Sequence, residues 1–209
     1  MDSDHSTTKG IQSTARGDRK QRYQDVMTAA ATVLEERGWD EFSIRDVASR
    51  AGVSAGAVYQ WFSGKGEIWA NLQRDRFDAD RAIVTSWPTD LSPVETVSRI
   101  LDLLARSYVD LGRYRFAFVS TLKGRVPGYA IELTSAHHLL SAEIATHVVR
   151  IQDRAEPPTD QNARLSWLWA TSKGVGDHLV DARHEAHGVK QDIFLETAAR
   201  SVLAGLTAP

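Results

Sequence analysis

An all-α fold is predicted by three features of the sequence. Apolar residues recur at helical spacing, no run sustains the alternation of a half-buried strand, and breaks recur at Gly38, Gly52, Ser63-Gly64, Trp87-Pro88, Gly112, Pro127-Gly128, Pro157-Pro158 and Gly188. About nine helices fit between these breaks, and no repeat of solenoid length is visible. With 209 residues, 42% of them hydrophobic, the chain is long enough to bury a core in one large domain or in a small and a larger one.

Composition excludes several classes. Cysteine is absent, which rules out a disulfide scaffold, a thiolate nucleophile and a thiolate metal site, and makes a reducing cytoplasm the expected location. The chain opens on polar residues, and no later window approaches roughly 18 uninterrupted apolar residues, so neither export nor a membrane partner is expected. The formal charge is −2 and the pI is near 6.4, so any affinity for a polyanion must come from local features.

Residues 1–18 are rich in Ser, Thr, Asp and Lys without helical periodicity, and read as a disordered arm. Val26, Ala29, Ala30 and Val33 then form one face of a helix that Gly38 stops, since glycine tolerates the left-handed turn. Ser43 is an N-cap with Asp46 in the first turn, and Ile44, Val47, Ala48 and Ala51 follow on one face. Gly52 breaks this helix. Ser54 caps the next, whose Val58 and Phe62 lie i, i+4 on the inner side, and small Ala48 lets the two helices cross closely.

A long helix starting near Lys65 must end at Trp87-Pro88, where the missing amide donor stops it. Helices follow over about 93–111, with the stripe Val97, Leu101, Leu104 and Tyr108, and over about 128–151, with Leu133, His137, Leu140, Ile144, Val148 and Ile151. The helix over about 159–187 carries two faces, one with Leu165, Leu168, Trp169, Ser172, Val175 and Leu179, the other with Trp167, Thr171, Gly174 and His178, so it packs on both sides. The last, over about 189–206, offers Leu195, Ala199, Val202 and Leu206.

The outer face of the short helix after Ser54 is the most suggestive feature. Ala55, Gly56 and Ala57 leave its N-terminus nearly bare, Tyr59 and Gln60 project polar tips, and Arg45 and Lys65 flank it with positive charge. On these residues alone, a DNA reader and a plain three-helix subdomain with solvated charges fit equally well. An arrangement of Ala29-Ala30, Leu34, Gly38-Trp39, Phe42-Ser43-Ile44 and Asp46-Val47-Ala48 precedes the string Ala-Gly-Val-Ser-x-Gly-x-x-Tyr-x-x-Phe-x-x-Lys from Ala51 to Lys65, with Ile68 beyond it. In this the segment from Tyr23 to Trp69 resembles the TetR family of bacterial transcriptional regulators.

The resemblance implies a homodimer in which each subunit lays the helix from about Ser54 to Phe62 in the major groove of a palindromic operator. A larger helical domain would bind a small effector that releases the DNA, and repression is the family's commoner habit. With the arm read over 1–18, the expected organisation is a helix-turn-helix domain over 19–65 and a ligand-binding and dimerisation domain over 66–209. Carried over position by position, Arg45, Ser54, Ala55, Gly56, Ala57, Tyr59, Gln60 and Lys65 face the DNA, with Tyr59 and Lys65 on phosphates. Ala57 replaces a threonine common in relatives, and Gly64 and Gly66 replace a serine and an acidic residue, which should loosen the start of the following helix. The basic tract Arg16, Arg19, Lys20 and Arg22 suits a minor-groove contact or plain solvation equally.

Beyond Pro88 the resemblance fades. Tyr108, Phe116, Phe118, His137, Trp167 and Trp169 are the candidate walls of a pocket for a mostly apolar, planar or lipid-like effector, although core packing is the commoner use of each. In relatives the two final helices form a dimer bundle, which points to Gly174, His178, Leu195, Ala199 and Val202. Two rival readings remain. One is a helical protein-interaction module, and the other a metal-binding enzyme using Asp177, His178, Asp181, His184 and His187, whose His184-Glu185-Ala186-His187 lacks zinc-protease spacing. No phosphate loop, nucleophile elbow or cofactor motif is present, so no enzyme activity, metal or cofactor is expected.

Overall fold

Val26, Ala29, Ala30, Val33 and Leu34 are at most 5% exposed, and this apolar stripe is what the first helix contributes to its domain. The computed structural model describes the backbone of residues 6–110, 128–151, 161–180 and 183–207, and the side chains of 18–107, 128–151, 161–179 and 183–207. Helix α1 spans Ser6–Glu41 and is kinked at Gly38, whose φ of 73° lies in the left-handed region that a β-carbon resists. It therefore begins within the stretch read from sequence as an arm. Helices α2 (Ile44–Arg50) and α3 (Ala55–Tyr59) follow, then α4 (Lys65–Thr85).

Among the described residues there are nine helices and no strand. The chain separates into two compact units, one ending at Leu72 and one beginning at Gln73, so that α4 starts in the first and finishes in the second. The sequence reading set the division at 65/66, at the start of that same helix.

The second unit continues with α5 (Pro93–Asp110), α6 (Gly128–Ile151), α7 (Gln161–Val180), α8 (Arg183–Ala186) and α9 (Gln191–Thr207). Helix α5 packs against α6, α7 and α9. Their shared core includes Val97, Ile100, Leu101 and Leu104 from α5, Leu140, Ile144 and Val148 from α6, Leu168 from α7, and Val202 and Leu206 from α9. Burying such a side chain is worth about 1.5–3 kcal/mol, so this stripe-against-stripe contact dominates the unit's stability.

Two element boundaries differ from expectation. The single helix read over about 159–187 is two, α7 and the one-turn α8, and Gly188 (φ 67°) closes the second through bonds from Gly188 N–H to Glu185 O and from Val189 N–H to His184 O, both 2.9 Å. On α6 the buried set is Ala136, Leu140, Ile144, His147 and Val148, so His137 is half-buried and His147 is the histidine inside. A stripe drawn through His137 shares its lower half with the real one, because faces spaced by 3 and by 4 residues interleave around a helix. No helix among the described residues is long and apolar enough to cross a membrane.

Candidate nucleic-acid interface

The short reading unit is built by local hydrogen bonds that the sequence encodes. Ser43 caps α2, its hydroxyl accepting from Asp46 N–H at 3.2 Å while donating to Asp46 Oδ2 at 2.5 Å. That hydroxyl, with the Arg37 guanidinium 2.8 Å from Asp46 Oδ1, holds the Asp46 carboxyl below its ordinary range. After α2, Val53 N–H returns to Ala48 O at 3.0 Å, and Gly52 turns the chain at φ 68°. Ser54 then caps α3, its Oγ accepting from Ala57 N–H at 3.1 Å. Val58 and Phe62 are buried, and Tyr23 packs against Phe62 and Trp61 at centroid distances of 5.5 and 6.4 Å.

This packing fixes which side chains face outward. Ser54, Gly56, Tyr59 and Gln60 are exposed, while Ala55 and Ala57 are half-exposed between them. Tyr59 is 59% exposed and is the one large hydrophobic among the described residues of the first unit that is left in water. A built β-carbon on Gly56 would meet only Ser54 Oγ, at 3.8 Å, so the helix surface there is open.

The surrounding cations divide sharply. Arg37 pairs with Asp46, and Arg50 holds both carboxylate oxygens of Glu36, Nη1 to Oε1 at 2.9 Å and Nη2 to Oε2 at 2.5 Å, so these two arginines tie α1 to α2. Arg45, exposed on α2, has no such partner among the described residues. Lys65 is different again. Its ammonium donates to the carbonyls of Trp39 and Phe42 at 3.1 and 3.4 Å and lies 4.7 Å from the centroid of the Trp39 ring, so it closes the end of α1 as well as opening α4.

Sequence reading missed Glu67. Its carboxylate accepts from both Ser63 N–H (2.7 Å) and Ser63 Oγ–H (2.8 Å), tying down the start of α4 where Gly64 and Gly66 were expected to loosen it. The signal was present as Ser63 and Glu67 bracketing the glycines, a capping arrangement displaced by one residue from the usual spacing.

The sequence-assigned effector residues separate. His137 and Trp169 meet, with ring centroids 4.4 Å apart, and Phe77 joins them at 5.5 and 6.4 Å. Trp167 stands apart and 42% exposed, and it lies against α9, since a β-carbon on Gly205 would fall 2.6 Å from its ring. The side chain of Tyr108, and Phe116 and Phe118 altogether, lie outside the described residues. Of the residues assigned to a dimer face, Gly174 is exposed with nothing near a built β-carbon, and His178 and Leu195 are half-buried. Ala199 and Val202 are each 1% exposed, packed into the chain's own core.

The histidine cluster forms a ring stack. His178 lies 4.7 Å from Phe194 and 6.3 and 6.4 Å from His184 and His187, all as centroid distances. Among the described residues no group of three or more such side chains is arranged to hold a metal ion; Asp181 lies outside them.

In the first unit two capped helices joined by a glycine turn, with an outward tyrosine, form a helix-turn-helix, the arrangement that DNA-reading proteins of that class use. Residues 26–72 match the family model of bacterial regulatory proteins of the tetR family. It is similar to the fatty acid metabolism regulator protein of Bacillus subtilis (strain 168), with 24% identity over 109 residues, which is 51% of this chain and 55% of that one. The chain thus matches about half the length of that relative. Its fold is similar to that of a TetR transcriptional regulator from Rhodococcus sp. RHA1, with TM-score 0.63 and 16% identity over 91% of this chain and 98% of that one. It is also similar to that of the fatty acid degradation regulator FadR from Bacillus halodurans, with TM-score 0.57 and 15% identity over 89% and 98%.

Proposed function

We propose that the chain is a ligand-responsive repressor that binds a palindromic operator as a homodimer and is released by a small, mostly apolar effector. The observation that carries the DNA reading is the outward face of α3, where Tyr59 and Gln60 stand in water behind a bare N-terminal turn, beside Arg45, which no carboxylate pairs among the described residues. The exposed tyrosine hydroxyl is free to donate to a phosphate. In this reading Arg45 and Gln60 reach base edges or phosphates, Ser54 and Tyr59 hold phosphates, and Ala55, Gly56 and Ala57 let the backbone approach. Lys65 contributes the N–H that its two carbonyl acceptors leave over.

The effector would sit against Phe77, His137 and Trp169. Among the described residues Trp169 Nε1 is buried without a hydrogen-bond partner, as are Gln73 Oε1 and Ser141 Oγ, one turn from Phe77 and His137 on their own helices. An effector with an apolar body and one hydrogen-bonding group would satisfy such atoms, and the two fatty acid regulators among the similar proteins support a lipid-like body. The test is selection of bound fragments from a random duplex library at physiological salt. Convergence on a palindrome is the expected result; no enrichment would overturn the reading of α3 as a DNA reader.

A further inference from the structure

Where α5 begins and α6 ends, the second unit holds a cleft of about 310 Å³, within the size range of small-molecule sites. Pro88, Leu91, Pro93 and Ile151 supply apolar walls, and Thr96, His147 and Arg150 supply polar groups. Arg150 is exposed, in the last turn of α6, and no carboxylate pairs with it among the described residues. Its one contact there is His147 Nδ1, 3.5 Å from Arg150 Nη1. His147 is 5% exposed, and its ring bonds the Val84 backbone and packs edge-on to Trp87 at 5.5 Å. This contact with the buried ring steadies Arg150 at the cleft wall.

We propose that this cleft is a binding site for a small organic monocarboxylate, its anion on Arg150 and its short apolar body against Pro88, Leu91, Pro93 and Ile151. The chemistry follows from the wall. A guanidinium that no carboxylate pairs among the described residues matches a carboxylate in a two-pronged geometry, and apolar faces within the same cleft disfavour a fully hydrated inorganic anion. A benzoate and a six-carbon fatty acid are carboxylates small enough for a cleft of this volume and serve as probes. The site is separate from the Phe77–His137–Trp169 cluster and does not depend on it.

The experiment is a titration of the full chain, without DNA, by ¹H–¹⁵N NMR with sodium benzoate, sodium hexanoate and, separately, inorganic phosphate. Saturable shifts at the Trp87 indole N–H and at Arg150 are expected with the two carboxylates. Arg150→Ala should weaken them about tenfold or more, the worth of a charge-assisted hydrogen bond. Leu91→Trp, which fills the cleft and keeps the cation, should abolish them while the remaining resonances stay at parental positions. Absence of saturation, equal affinity in Arg150→Ala, or phosphate binding as tightly as benzoate would each overturn the proposal. Failure of operator selection would leave these readouts unchanged, so the two readings fall separately.

Discussion

Two cations beside α3 have opposite surroundings, and substitution should separate their roles. Arg45 stands in water without a carboxylate, so Arg45→Ala should leave thermal unfolding unchanged and cost about 1–3 kcal/mol of operator affinity, with a log–log salt slope smaller by about 1 if its contact is a phosphate. Lys65 is committed to the carbonyls of Trp39 and Phe42 and to the Trp39 ring, so Lys65→Met should lower domain stability by about 1 kcal/mol in urea unfolding, besides any loss on DNA. Identical behaviour of the two variants would refute this division. His147 supplies a pH prediction. Burial first, then the Arg150 charge, push its pKa below the ordinary 6.5. The unfolded chain therefore binds the proton more readily, so the stabilisation is complete above pH 6.5 and is lost as pH falls through the lower folded value. A His147→Gln variant should show a flatter stability curve below pH 6.5 than the parent.

At the scale of elements, one buried charge joins α4 to α5. Asp80 is 1% exposed, with Arg76 Nε 3.0 Å from Oδ1 and the Ser107 hydroxyl donating to Oδ2 at 2.6 Å. Removing the carboxylate takes away the acceptor that Arg76 and Ser107 share there. Asp80→Ala should therefore cost about 2–4 kcal/mol in denaturant unfolding, the upper end being limited because Arg76 can reach water. A loss under about 1 kcal/mol would mean that the two helices are held by their apolar contact alone. Such a link is what sequence reading does not reveal, since Asp80 and Ser107 fall on different helices and neither breaks a pattern. The helix-turn-helix was legible because its determinants are local: Ser43, Gly52 and Ser54 act within four residues, and each does what its position implied. The buried face of α6 was half legible, because choosing between His137 and His147 needs the neighbouring helices that cover one of them. The same holds for Ala199 and Val202, whose stripe announces burial without saying whether its own chain or a partner does the burying.

For the whole molecule the decisive quantity is the number of subunits. A palindromic operator needs two reading heads, and the second unit leaves an apolar surface on α7 and α9 that a second copy would cover: Trp167 is 42% exposed and lies over Gly205, Ile193 is 53% exposed, and Gly174 is open. Ala199 and Val202, already buried in their own subunit, would support that surface from beneath. A carboxylate buried in an apolar interface carries an unpaid desolvation cost, so Trp167→Glu should convert a dimer into a monomer in sedimentation velocity while the helical circular dichroism signal persists. The monomer should still bind one operator half-site, but with the shallower salt dependence of about half as many phosphate contacts and without the gain that tethering a second head provides. Because α3 lies in the other compact unit, Arg45→Ala should do the reverse, leaving sedimentation unchanged and reducing DNA affinity. If Trp167→Glu sediments as the parent does, the proposed dimer face on α7 and α9 is wrong, whatever the outcome on DNA.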